Sequence, residues 1–213
     1  KTSEEKIKEI QRELNVVFSY DFISKDILSK YLKINKITCA FICVPDPSHF
    51  MYLEKMAENT IPSWIVKPLT DNLEQAKRII ELSDAFGSDI WVDYHKRFDE
   101  SNLFVKNKVA TKEYGRLLHY SVQYSQPLQL AKSFKWAKDT NVFSYIGCHY
   151  VDQLEFIINE KIKKGQVTAV PTKGLLYNEL QIYDSIHVLL NLNLDDGNDF
   201  SASFLVGWND PDG

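Results

Sequence analysis

The chain has 213 residues, 44% of them hydrophobic and 25% charged, an ordinary globular composition with length for one large domain or two small ones. A formal net charge of −4 gives no electrostatic ground for binding nucleic acid or an anionic membrane. No apolar run approaches the ~20 residues of a transmembrane helix and no secretory leader opens the sequence, so the expected compartment is the cytoplasm.

Ser3-Glu4-Glu5 opens a helix to about Leu14, with Ile7, Ile10 and Leu14 on one face. Asp26 to Leu32 reads as a second, short helix. Ile37 to Val44 is a continuous apolar, β-branched run, the pattern of a strand buried on both faces of a parallel sheet. Cys39 and Cys43 fall in that run, too far apart along it to bridge each other. With Cys148 they read as reduced core residues, and no Cys/His spacing suits a metal. Pro45-Asp46-Pro47-Ser48 ends the strand, and Ser48 can cap a helix from His49 to Glu58. Pro62 to Val66 is the next strand, Asn72 to Phe86 the next helix and Ile90 to Tyr94 the next strand. Strand, helix, strand, helix, strand with short links is half of a doubly wound α/β sheet.

After Arg97 the rhythm changes. A helix over about Asp99 to Ala110 leads to a strand at Gly115 to Tyr124, whose alternation gives it one wet face. A loop rich in Lys and Gln follows, then a helix from His149 to Ile158 and a strand at Val167 to Pro171. Two long strands, Gln181 to Leu194 and Phe200 to Trp208, are joined through Asp195-Asp196-Gly197-Asn198-Asp199, a hairpin by its turn chemistry. The second part is therefore an α+β unit with a mostly antiparallel sheet, and the boundary falls between residues 96 and 97. On the long hairpin Ile186, Val188, Leu190, Leu192 and Leu194 share one side, and His187, Leu189, Asn191 and Asn193 the other. Neither side is strongly polar, which predicts a homo-oligomer through the sheet face.

No G-x-G-x-x-G occurs, and the chain opens on a helix. A first strand is thus expected upstream, in roughly one β-α-β unit of ~30 residues.

Four patches carry chemistry. Val44-Pro45-Asp46-Pro47-Ser48-His49 is a strand-end turn at a helix start, where free amides meet phosphate or ribose. Trp64-Ile65-Val66-Lys67-Pro68 puts a lysine at the end of a buried strand, able to aim a cation at a reacting oxygen. Asp93-Tyr94-His95-Lys96-Arg97-Phe98 closes the third strand beside the first two. In Tyr145-Ile146-Gly147-Cys148-His149-Tyr150-Val151-Asp152, His149 and Asp152 lie i, i+3 at a helix start. Gly147 would let the backbone approach a ligand there. Tyr124 and Trp136 are candidates to line a sugar-sized pocket.

The ordered set resembles the glucose–fructose oxidoreductase, inositol dehydrogenase and MocA family. Its members carry a T-P-x-x-x-H-like turn, then E-K-P, an R-F or R-R strand end, and D-x-G-x-H-x-x-D. These match Val44-Pro45 with His49, Val66-Lys67-Pro68, Lys96-Arg97-Phe98, and Tyr145 to Asp152. The resemblance implies a Rossmann dinucleotide-binding part over residues 1–96 and a substrate-binding, oligomerising α+β part over 97–213. It implies NAD or NADP as cofactor and a dehydrogenase moving a hydride at a carbinol carbon of a sugar, polyol or similar substrate. Lys67, His149 and Tyr145 are then the catalytic candidates. Val44, Pro45, Asp46, His49, Lys67, Pro68 and Arg97 face the cofactor, and Tyr94, His95, Tyr124, Trp136 and Asp152 the substrate. His149 is the acid/base candidate because an unperturbed pKa of ~6.5 lies near working pH, with Asp152 to orient it or to hold a substrate hydroxyl.

Three departures bear on chemistry. Val66 stands where the family has glutamate, Val44 where it has threonine, and Tyr145 where it has the aspartate paired with the histidine. They leave open an inactive relative acting as a dinucleotide sensor or scaffold.

Overall fold

The computed structural model describes residues 3–14, 27–158 and 160–211. The chain divides into two compact units, Lys1–Ile37 and Thr38–Gly213. The first contains α1 (Ser3–Glu13) and α2 (Leu28–Ile34). Ile10 and Leu14 of the predicted stripe are exposed, whereas Leu32 of α2 is buried. The predicted start of α2 at Asp26 lies outside the described residues.

The second unit opens with a three-stranded parallel sheet, order β1-β2-β3, over Ala40–Ile42, Ser63–Val66 and Ile90–Asp93. The crossovers are α3 (His49–Glu58) and α4 (Leu73–Phe86). The start of α4 is set by Asn72, whose side chain accepts from the Glu74 and Gln75 amides at 2.9 and 3.2 Å. Its end is set by Gly87, left-handed at φ 62°, a conformation that costs glycine little. Ser48 occupies the N-cap of α3 but makes no side-chain bond there. The first strand is shorter than the apolar run suggested, and Cys39 and Cys43 are exposed rather than core. The reason is pairing and cover. Among the described residues β1 pairs only with β2, and one sheet face presents Phe41, Trp64 and Trp91, side by side in register and exposed.

After α5 (Glu100–Ala110) comes a four-stranded sheet, order β4-β7-β6-β5, built from His119–Pro127, Asp199–Asp210, Ser185–Leu194 and Ile162–Thr172. β4 runs parallel to β7 and the other neighbours are antiparallel. The core lies on one face, where Phe200, Phe204, Val206 and Trp208 of β7 meet Leu154 and Ile158 of α7 (Cys148–Ile158). The predicted alternation holds: Ile186, Val188, Leu192 and Leu194 point into that core, while Leu189 is exposed on the opposite face. The Lys- and Gln-rich segment after β4 is partly helical, with α6 at Leu128–Ser133.

The segment predicted as strand from Gln181 begins differently. α8 (Leu175–Leu180) ends at Gln181 in the left-handed region, and the strand starts only at Ser185. Asp184 is the cause. Its buried carboxylate accepts from the amides of Gly174, Leu176 and Tyr177 at 2.7, 3.0 and 3.1 Å, satisfying donors that a helix start leaves orphaned. A Cβ on Gly174 would lie 2.7 Å from that carboxylate. Asp184→Ala is expected to cost on the order of 3 kcal/mol, because three amides lose a charged acceptor. Urea unfolding checks this, and a cost under about 1 kcal/mol would mean the turn is held otherwise.

Candidate active site

Because β1, β2 and β3 are parallel, their carboxyl ends lie at one edge of the sheet, where open α/β sheets place ligands. Val44, Lys67 and Tyr94 follow those ends in turn. Helical turns at Asp46–Ser48 and His95–Phe98 carry the chain away. α7 presents a further set, entered through a π-helical turn at Phe143–Gly147. Such turns re-aim side chains and recur at functional sites. Gly147 serves that turn. A Cβ there would sit 2.7 Å from the Phe143 ring, so the close approach is to Phe143 and not to a ligand.

Lys67 reaches from β2 to this turn. Its Nζ donates to the backbone carbonyl of Tyr145 and lies 4.1 Å from the centre of the Tyr145 ring. That ring is packed in turn against Phe134, Trp136 and Trp208, at 5.5, 5.7 and 5.8 Å between centroids. Tyr124 stands against Tyr150 at 5.7 Å. Burial, with Asp46 and Tyr124 adding, raises the Tyr145 hydroxyl above its ordinary pKa, so it is a proton donor at neutral pH.

His149 is buried, edge-on to His95 at 4.7 Å and to Tyr94 at 6.3 Å. Its Nδ1 is enclosed without a partner. Burial first, then the charges of Lys67, His95 and Lys96, push its pKa down to about 3. The ring is therefore a neutral base, and it does not titrate near neutrality as its residue type suggested. Cys148 beside it is pushed up to about 11, chiefly by burial, and is a thiol.

Asp152 shares the helix with His149 but bonds elsewhere. Arg97 grips it with two nitrogens, Nε to Oδ2 at 2.8 Å and a terminal nitrogen to Oδ1. This bidentate pairing occupies both carboxylate oxygens, so Asp152 does not orient His149. The guanidinium also lies 5.4 Å from the Phe156 ring. Pro68, Tyr94, Arg97, Cys148, Asp152 and Glu155 line a cavity of about 490 Å³. Lys67, Tyr145 and His149 lie outside its walls.

Asp46 and His49, expected to face a cofactor, are buried. The ring nitrogens of His49 lie 2.7 Å from the Pro68 carbonyl and 2.9 Å from that of Val44. Asp46 keeps one oxygen without a partner, and burial raises its pKa against the lowering influence of Lys67 and His49. Glu155 was missed in the sequence, and Cys148 and Lys96 were read as members of the third and fourth patches without a role in the site. The i, i+4, i+7 spacing of Cys148, Asp152 and Glu155 on α7 is the signal that finds two of them. A cavity of about 480 Å³ lined by Phe104, Tyr114 and Leu118 has no such convergence. Its cations Lys108 and Arg116 are bonded to Glu113 and to the Asp199 carbonyl.

Residues 1–94 match the family described as oxidoreductases with an NAD-binding Rossmann fold, which bears out the resemblance over the part that holds the first two motifs, Val44-Pro45 with His49 and Val66-Lys67-Pro68. An inositol 2-dehydrogenase from Rubrobacter xylanophilus is 22% identical over 143 residues, 66% of this chain and 40% of that protein. The structure of myo-inositol 2-dehydrogenase from Lactobacillus plantarum superposes with a TM-score of 0.76 at 15% identity, over 97% of this chain and 59% of its own. That of apo scyllo-inositol dehydrogenase from Lactobacillus casei gives 0.74 at 17%, over 98% and 59%. An oxidoreductase from Sinorhizobium meliloti gives 0.76 at 18%, over 98% and 56%. The chain thus spans between 40% and 59% of the length of these relatives. At such identities the superpositions establish the fold.

The state of His149 has a consequence for stability. With its pKa near 3 in the fold against an ordinary 6.5, the unfolded chain takes up this proton first as pH falls. The contribution is complete above about 6.5 and drains away toward 3. The slope of melting temperature against pH between 6.5 and 4 is expected to flatten in His149→Gln. An unchanged slope would show the ring to be solvated.

Proposed function

We propose that this chain carries the reacting end of an NAD(P)-dependent oxidoreductase acting on a carbinol carbon of a small polyol. Ring polyols of the inositol type are the favoured class. One observation carries the reading: a lysine cation at a parallel strand end, braced on the turn before α7, beside a histidine held neutral. The names of the relatives supply the substrate class.

The residues present suit the nicotinamide end of the cofactor. The Lys67 cation at a strand end acts on two groups with an enclosed polar atom left without a partner, Asp46 Oδ2 at the exit of β1 and His149 Nδ1 on α7. Val44, Pro45 and Pro68 shape the cofactor side. When bound, the dinucleotide supplies hydride chemistry. His149, neutral at working pH, accepts the hydrogen bond of the substrate hydroxyl and takes its proton only as the hydride leaves, because a ring with a pKa near 3 is a weak base. The Lys67 ammonium stabilises the negative charge that develops on the same oxygen. Tyr145 holds Lys67 by its carbonyl and ring, and its protonated hydroxyl serves as a relay. Tyr124 and Trp136 offer flat faces to the apolar side of a ring polyol. Tyr94, His95 and the Arg97 guanidinium that Asp152 holds offer polar contacts to its hydroxyls. In this reading residues 1–96 serve the dinucleotide and 97–213 the substrate and assembly.

In the intact protein Lys67→Ala is expected to lower turnover of ring polyols by about 10²–10⁴-fold, the range for a positioned acid/base group. His149→Asn should lower it likewise while tryptophan-fluorescence titrations with NADH and NADPH keep their midpoints. Near-normal turnover in Lys67→Ala removes the assignment.

The same reading expects self-association through the open face of the larger sheet. Exposed Leu189 lies there among Ser203, Thr168 and Ser121, small residues that let a second sheet approach. Sedimentation at tens of micromolar should show a dimer or larger, and Leu189→Arg should shift it toward monomer. Only monomer in the parent protein would end this idea.

A further inference from the structure

We infer that His49 is a positioning residue for Lys67, a role that rests on the oxidoreductase reading for its purpose but not for its test. His49 has no exposed surface and cannot touch a cofactor or substrate, so any influence on the site passes through its bonds. Its two ring nitrogens reach two carbonyls on different strand exits: Val44 just beyond β1 and Pro68 in the turn after β2, at 2.9 and 2.7 Å.

The location matters because backbone pairing has stopped there. The β1–β2 ladder ends at Ile42 with Ile65, and β2 pairs with β3 only as far as Val66 with Asp93. Lys67 is the next residue, beyond the last rung. With both ring nitrogens protonated, His49 donates to both carbonyls and cross-links the two exits at that point, one end on the residue that follows Lys67. Its own backbone is fixed as the first residue of α3, which packs on α4. The ring thus transmits the rigidity of the helix layer to the base of the Lys67 side chain. Tyr145 fixes the other end. Both ends are needed, because a long flexible amine aimed at a reacting oxygen otherwise samples many rotamers.

Substitutions separate this role from mere filling of space. Phenylalanine replaces the ring without a donor, and glutamine supplies two amide N–H donors on a flexible stem. The decisive measurement is the reactivity of each lysine in the intact protein toward limiting acetic anhydride, read by peptide mass spectrometry. Lys67 reactivity is expected to rise about threefold or more in His49→Phe, with partial return in His49→Gln, as its side chain regains rotamer freedom. Lys55, Lys77 and Lys96 should not change and report intact folding. Lys67 reactivity within about 1.5-fold of the parent in both variants overturns the proposal. So does a rise in all lysines of both variants, because His49 then supports the fold at large.

Turnover supplies the second arm. His49→Gln is expected to lower kcat about tenfold with the NADH dissociation constant unchanged, but by less than about twofold once Lys67→Ala is present, as coupled positions require. Full additivity would mean that His49 acts by another route. A parent protein with no dinucleotide turnover refutes the oxidoreductase reading, while the labelling result still decides the role of His49.

Discussion

The contact between Lys67 and Tyr145 is the constraint on which the site depends. It joins the exit of the parallel sheet to the turn before α7 through two bonds of different kinds, a charged donor on a carbonyl and a cation over a ring. The Tyr145 ring is wedged among Phe134, Trp136 and Trp208, and Trp208 belongs to the core of the larger sheet. Displacing the ammonium would therefore disturb an aromatic cluster. Packed interiors resist such shifts, because small voids forfeit contacts on every side. A single lysine is thereby referred to both sheets at once.

The electrostatics follow from that placement. A cation held beside an enclosed imidazole disfavours a second positive charge, and burial acts in the same direction; the two together keep His149 neutral. The carboxylates are arranged unequally. Asp152 is neutralised by Arg97 in a bidentate pair. Asp46 is enclosed, has one oxygen without a partner, and feels Lys67 and His49 as its opposing charges.

Much of the framework was legible because it obeys local rules. Apolar runs broken by Pro or Asn-capped helix starts marked the parallel sheet, and a D-D-G-N-D turn marked the β6–β7 hairpin. The errors arose where a distant partner decides. Asp184 reads as a strand residue until Gly174, ten residues away, is seen to donate to it. Asp152 reads as a partner for His149 because i, i+3 is the nearest spacing on a helix. Arg97, 55 residues distant, wins because its fork matches a carboxylate and the histidine offers one nitrogen at most. His49 reads as a cofactor contact for a related reason: nothing in its neighbours reveals that Pro68, 19 residues on, returns to bury it.

The replacement at position 145 then has a physical meaning. In the pattern this chain resembles, an aspartate paired with the histidine stands there. Tyrosine offers a carbonyl, a ring face and a hydroxyl that burial keeps protonated. The negative charge facing Lys67 comes from Asp46, on the other side at the exit of β1. Its tie to the same turn is His49, three residues further along. Lys67 keeps a fixed geometry and an opposing charge, supplied by two different elements.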